Sequence, residues 1–335
     1  MANKNIFFST SAAITFVAAA AFFYAFSGDY ETEWIEASVS DCQTAAATID
    51  GLPLSEDTFN FCLLERETGF FHARAAMQTS RGPIPVTIGF DPTTRRVKRL
   101  FLNVVGGPGT EISAAISPRA IYDRLAGCDA VVVSPIYMGS FERSLYPEPS
   151  SGVAEAEVGA VIEEFMAQGL QPQILAQSLG GNIVSSENLR IPLGDHLFLA
   201  PMLDPPIEVI DYIRQNSNMK AVYQPKYIKS GDGFNKKPVS SDDFNISYFG
   251  PGEKYRNSSF DERWSKKSFV SPKARVVAAI AEDEERAGGL EYEGRLENLG
   301  IIVVPMSGNH DSKNESERSE RANLIRGFAN RVCEH

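Results

Sequence analysis

Histidine and cysteine are scarce in this chain, and acidic side chains outnumber basic ones. Its 335 residues include four histidines and four cysteines, and no two cysteines have the C-x-x-C spacing of a zinc site. There are 43 Asp and Glu residues against 32 Lys and Arg residues, which gives a formal net charge of −11. This balance argues against nucleic acid as a partner, because phosphate backbones are bound by basic surfaces.

The sequence also has no internal repeat, no long low-complexity tract, no metal-ligand spacing and no dinucleotide-binding glycine fingerprint. These absences exclude solenoid architectures and imply no cofactor and no metal. The hydrophobic content of 43% and the length are sufficient for one large buried core.

A long apolar run is confined to the start of the chain. After MANKN comes the uncharged stretch IFFSTSAAITFVAAAAFFYAF, from Ile6 to Phe26, which is long enough to cross a bilayer as one helix. The stretch AFS (Ala25 to Ser27), with small residues at its first and last positions just before Gly28, also matches a signal-peptide cleavage site. We predict that residues 1–28 are a signal peptide or an N-terminal membrane anchor. The protein is then exported, as a periplasmic, secreted or membrane-anchored protein facing outside the cytoplasm.

Export would place the cysteines in an oxidising compartment, where disulfides persist. Cys42 and Cys62 flank a short loop-rich segment, and we predict that they form a disulfide bond. Cys128 stands before an apolar strand in LAGCDAVVV, a context typical of a small buried residue. We interpret residues 29–69, which are acidic and show little periodicity, as a loop-like N-terminal extension.

The rest of the chain alternates between apolar strand patterns and helical patterns. DAVVVSP, for example, is continuously apolar, as expected of a strand that is buried on both faces of a parallel sheet. We predict a domain over residues 70–335 with a mostly parallel, doubly wound α/β sheet and helices on both faces. The regular alternation stops between about 204 and 271, and we interpret this span as a cap insertion.

Chemistry-bearing residues follow four of the predicted strands, where ligands of open α/β sheets bind. The first such strand leads into VVGGPG, and a later one leads into AQSLGG with Ser178. The acidic run EDEE, which contains Asp283 and Glu284, follows a third strand, and SGNHD with His310 follows the last. The chain order is therefore serine, acid, histidine.

These four motifs make the chain resemble the α/β-hydrolase family from about Phe70 to the C-terminus. The stretch VGGPG (Val105–Gly109) matches four positions of the H-G-G-P-G oxyanion loop found in proline-iminopeptidase-like proteins and related esterases. Two residues depart from the family pattern: Val105 replaces the histidine of that loop, and Ala176 replaces the first glycine of G-x-S-x-G. The alanine adds only one methyl group to the turn, so we still expect activity.

Each motif then has a role in the predicted mechanism. Ser178 is the candidate nucleophile and needs a base to take its proton. His310 is the best candidate base, because His72 lies mid-strand, His196 begins a strand and His335 ends the chain. The predicted acid is Asp283 or Glu284, with Asp283 narrowly favoured. The predicted oxyanion donors are the N–H of Leu179 and the N–H of Gly106 or Gly107.

We therefore predict an exported serine hydrolase that cleaves a carboxylic ester, or an amide or peptide bond, through an acyl-enzyme on Ser178. An esterase-like activity is favoured, on a small-molecule or peptide substrate. A serine peptidase of the iminopeptidase type is one alternative. The other is a catalytically inactive hydrolase scaffold used for binding.

Overall fold

The structure is a computed structural model. It describes residues 34–54, 59, 61–65, 68–105, 121–122, 124–136, 154–186, 189, 194–201, 259–267, 273–283, 292–308, 310 and 314–334. The predicted leader at 1–28 and most of the predicted cap at 204–271 lie outside these residues. Within the described ranges, no helix combines the length and apolar character that a membrane crossing requires.

The described residues include ten strands, which form one sheet in the order β1-β2-β3-β4-β6-β5-β7-β8-β9-β10. The strands are β1 Trp34–Glu36, β2 Phe61–Glu65, β3 Phe71–Thr79, β4 Gly82–Phe90, β5 Arg99–Val104, β6 Ala130–Pro135, β7 Pro172–Gln177, β8 His196–Leu199, β9 Val276–Ala281 and β10 Ile302–Met306. The helices are α1 Val39–Ala47, α2 Ala154–Ala167, α3 Leu179–Ser185, α4 Phe260–Ser265, α5 Glu293–Asn298 and α6 Glu315–Glu334. Strands β5 to β10 pair in parallel, and β1 to β4 are antiparallel to their neighbours.

Both faces of the parallel part of the sheet are covered. Successive strand residues point to opposite faces, so Leu100 and Leu102 of β5 join one core cluster and Phe101 joins the other. The first cluster also takes residues of α1, α2, α3, α4 and α5, and the second is closed by Ile325 and Phe328 of α6. The predicted doubly wound α/β sheet with helices on both faces is therefore confirmed.

The loop-like interpretation of residues 29–69 is wrong for the described part of that segment. It contains helix α1 and strands β1 and β2, which extend the sheet beyond β3. The side chain of Ser38 accepts a hydrogen bond from the Asp41 N–H at 3.1 Å and caps α1. The predicted disulfide between Cys42 and Cys62 is present and joins α1 to β2, with a Cα–Cα distance of 6.2 Å.

Cys128 forms a disulfide that the sequence analysis did not predict. It is buried as predicted, but it forms a disulfide with Cys333 near the end of α6, with a Cα–Cα distance of 5.5 Å. The Arg99 guanidinium donates to the carbonyl oxygens of Val332 (2.9 Å) and Cys128 (3.0 Å), on either side of this bond. The two disulfides are consistent with an oxidising, extracytoplasmic compartment.

Two of the four histidines are core residues rather than site residues. His72 in β3 is buried, and its Nδ1 lies 3.0 Å from the hydroxyl of Tyr122. Burial, with a smaller contribution from the Arg74 charge, lowers the pKa of His72 to about 4. His196 at the start of β8 packs edge-on against Trp264, and burial followed by the Lys267 charge lowers its pKa to about 3.

Because the pKa values of these two buried histidines are lowered, we predict that the folded state loses stability in mild acid. A histidine whose pKa is lowered on folding stabilises the native state above pH ~6.5, and that contribution is lost as the pH falls towards the folded pKa. For His196 the loss between about pH 8 and about pH 5 is roughly 2 kcal/mol of unfolding free energy. Urea unfolding of the wild type and of His196→Phe at both pH values measures it. The variant, whose ring still packs against Trp264, should lose about 2 kcal/mol less than the wild type; equal losses would contradict the assignment.

Candidate active site

Ser178 occupies a sharp turn between β7 and α3. Its backbone has φ 49° and ψ −121°, a conformation that costs a non-glycine residue roughly 1–3 kcal/mol. Two backbone hydrogen bonds hold it there: the Ser178 N–H donates to the Leu199 carbonyl (3.0 Å), and the Gly181 N–H donates to the Ser178 carbonyl (3.0 Å). This strained strand–turn–helix geometry is that of a nucleophile elbow, which exposes the hydroxyl above the sheet.

The glycines after Ser178 allow the elbow to press against neighbouring backbone. A Cβ atom at Gly180 would collide with the carbonyl oxygen of Val104, at the end of β5. A Cβ atom at Gly181 would lie 2.8 Å from the Cβ of Pro201. Ala176, at the position of the missing first glycine, is fully buried in the core, where its methyl group is part of the packing.

His310, which is distant from Ser178 in the sequence, lies beside it in the fold. Its Nε2 lies 2.6 Å from the Ser178 Oγ, although the two residues are 132 positions apart. The turn that carries His310 follows β10 and passes through Gly308, which has φ 83°. A carboxylate oxygen of Glu320 on α6 accepts a hydrogen bond from the Ser307 N–H at 3.0 Å and fastens this turn to the last helix.

Of the two candidate acids, Asp283 is described and Glu284 lies outside the described residues. The Asp283 N–H donates to the Gly308 carbonyl at 2.9 Å, so its backbone touches the turn that carries His310. Its side chain is exposed, and it makes no hydrogen bond or ion pair with any other described residue. The structure thus brings the Asp283 backbone, and not its carboxylate, to the histidine turn.

The predicted oxyanion donors are described only in part. Gly106 and Gly107 lie outside the described residues, but the strand that leads to them ends at Val104, directly against Gly180. Leu179 is the first residue of α3, and an N–H group at that position has no acceptor within its own helix. Both predicted donor segments therefore start beside Ser178.

A buried polar chain beneath Ser178 was missed in the sequence. Asn103 in β5 donates through Nδ2 to the Ser134 Oγ of β6 (2.9 Å), and its Oδ1 accepts from the Gln177 Nε2 of β7 (3.1 Å). The available signal was an asparagine inside the otherwise apolar FLNVV. In the described part of the chain, no group of three or more His, Cys, Asp or Glu residues is arranged to hold a metal ion.

Comparison with known proteins gives structural similarity only. No protein-family model and no curated protein matches the sequence. The structure is similar to an esterase of Pyrobaculum calidifontis (15% identity, 78% of this chain and 84% of that chain, TM-score 0.47). It is also similar to a fungal esterase of Rhizomucor miehei (13% identity, 99% of this chain and 99% of that chain, TM-score 0.48). A further similar structure is carboxyl esterase 2 of Tuber melanosporum (16% identity, 78% of this chain and 86% of that chain, TM-score 0.49).

The positions of Ser178 and His310 in the sheet identify the fold. Ser178 turns from a central parallel strand into a helix with positive φ, and the histidine follows the last strand of the same sheet. A nucleophile elbow at the carboxyl edge of a mostly parallel, doubly wound sheet is the arrangement of the α/β-hydrolase fold. The chain has this fold.

Proposed function

We propose that the protein is a serine hydrolase that cleaves carboxylic esters through an acyl-enzyme on Ser178. The observation that carries this proposal is the 2.6 Å contact between the Ser178 Oγ and the His310 Nε2. A serine hydroxyl is a weak nucleophile unless a base within hydrogen-bond reach takes its proton. The contact satisfies this requirement, and Ser178 stands on a strained turn of the kind that clusters at functional sites.

In the proposed reaction, His310 Nε2 accepts the proton as Ser178 Oγ attacks the ester carbonyl carbon. The resulting oxyanion would accept hydrogen bonds from the Leu179 N–H and from the N–H of Gly106 or Gly107. The protonated imidazole then gives its proton to the departing alcohol. The acyl group stays bound to Ser178 Oγ. Water, deprotonated by the same imidazole, then attacks the acyl-enzyme. The imidazole passes this proton to Ser178 Oγ as it leaves, which releases the acid and restores the free serine.

A carboxylate is needed to hold the imidazole tautomer and to stabilise its cation. Asp283 and Glu284 are the candidates that the sequence provides. The carboxylate of Asp283 is exposed and bonds to no described residue, and this leads us to prefer Glu284, one residue further along, although the sequence alone narrowly favoured Asp283. Export from the cytoplasm stays part of the proposal, and the two disulfides support it.

A fluorophosphonate probe tests the proposal, because it reacts covalently with activated serines. We expect the wild type to be labelled, Ser178→Ala to be unlabelled and Ser40→Ala, an exposed serine on α1, to be labelled like the wild type. No labelling of the wild type, or labelling that survives Ser178→Ala, would contradict the proposal. The first outcome is what an inactive scaffold predicts.

A substrate panel then separates the esterase from the iminopeptidase-type peptidase. Short-chain aryl esters should be hydrolysed faster than aminoacyl anilides if the favoured activity is right. Faster cleavage of the anilides would transfer the proposal to the peptidase, with the same nucleophile and base.

A further inference from the structure

We propose that Asn103 is a positioning residue that fixes the nucleophile elbow against the strand leading to the oxyanion loop. This inference rests on the proposed serine hydrolase function. The feature behind it is the hydrogen-bonded chain Ser134–Asn103–Gln177, which runs across three adjacent strands below Ser178.

Both ends of the Asn103 carboxamide are used. The residue is fully buried, its Nδ2 donates to Ser134 on one neighbouring strand and its Oδ1 accepts from Gln177 on the other. Because the amide bonds in both directions, its orientation is fixed by its neighbours. Phe101, two residues earlier on the same face of β5, is buried and apolar, so an apolar residue would suit position 103 if packing alone mattered.

The hydrogen-bonded chain joins the nucleophile elbow to strand β5, and the proposed reaction requires these two segments to keep their relative positions. Gln177 immediately precedes the nucleophile, and Asn103 lies three residues before Gly106. The close approach of Gly180 to the Val104 carbonyl presses the other side of the elbow against the same strand end. The Gln177–Asn103 bond therefore sets where Ser178 lies relative to Val104 and Val105, the described residues that lead into the predicted oxyanion loop.

A shift of Ser178 relative to the end of β5 should slow the chemical step more than it weakens substrate binding. A displacement of about 1 Å between reacting groups costs on the order of 100-fold in rate. We expect Asn103→Leu and Gln177→Met, which keep side-chain size, each to lower kcat for an aryl ester by about 10- to 100-fold, with KM changed by less than about threefold. The rate of fluorophosphonate labelling should fall in parallel.

A double-mutant cycle tests whether the two side chains act through one contact. If they do, the double variant should be no slower than the slower single variant, because the bond can be lost only once. The matched control is Tyr122→Phe, which removes another buried side-chain hydrogen bond, to His72 in β3, far along the sheet from the elbow. It should shift the urea midpoint comparably and leave kcat unchanged.

The outcomes separate this inference from the function on which it rests. Wild-type kcat in Asn103→Leu, a raised KM with unchanged kcat, or additive losses in the double variant would overturn the positioning role and leave the hydrolase intact. If Asn103→Leu does not fold, Gln177→Met decides alone, since Gln177 is only half-buried, and an unchanged kcat overturns the inference. A wild type that the probe does not label would overturn both proposals.

Discussion

Replacing His310 with alanine is expected to lower kcat for an aryl ester by on the order of 10⁵- to 10⁶-fold. Without the imidazole, the Ser178 hydroxyl keeps its proton and the leaving alcohol receives none. The His310 side chain is partly exposed and lies in a turn, so the loss should not come from unfolding. Steady-state kinetics together with the urea unfolding midpoint make the measurement.

Two comparisons make this expectation specific. Ser178→Ala combined with His310→Ala should be no slower than either single variant, because the pair acts as one unit. In the same assay, the acid that orients His310 should cost about 10⁴-fold when it is made an amide. We expect this for Glu284→Gln, and only a mild effect for Asp283→Asn. A fall of less than about tenfold in His310→Ala would show that another group is the base.

Replacing Gly180 with alanine is expected to destabilise the fold by about 3 kcal/mol or more. The new methyl group would collide with the Val104 carbonyl and lie 3.1 Å from the Val105 carbonyl. Both are backbone atoms at the end of a buried strand, so neither can move aside as a flexible side chain could. The clash would push the elbow away from the strand that leads to the oxyanion loop, and kcat should fall together with the unfolding free energy.

Gly327→Ala provides the matched control. Gly327 lies in α6, and a Cβ atom there meets nothing within 4 Å. Since alanine is the better helix former, this variant should gain about 0.5–1 kcal/mol and keep its activity. Urea unfolding of both variants decides the matter: if Gly180→Ala were as stable as the wild type, the close packing of elbow and strand would not be needed.

The main features of the fold could be predicted because burial leaves a direct mark on sequence. Strands covered on both faces are continuously apolar, and β6, with all six residues buried, is the clearest case. The segments β1, α1 and β2 were missed because they are short, from three to nine residues, and have weak periodicity. Strand β2 is held by pairing with β3, and β1 by pairing with β2. The Cys42–Cys62 bond ties α1 to β2, so tertiary contacts rather than local preference hold all three.

The sequence by itself determined the residue types of the site, because a serine on a strand-to-helix turn and a histidine after the last strand follow from local patterns. Only the tertiary structure decided which groups meet. The strand order inserts β5 between β6 and β7, so Asn103 bonds to Ser134 and Gln177, partners 31 and 74 residues away. The same folding brings Cys128 to Cys333 and His310 to Ser178. These contacts depend on the order in which strands pair, which is set by the packing of the whole sheet and leaves no mark on any short stretch of sequence.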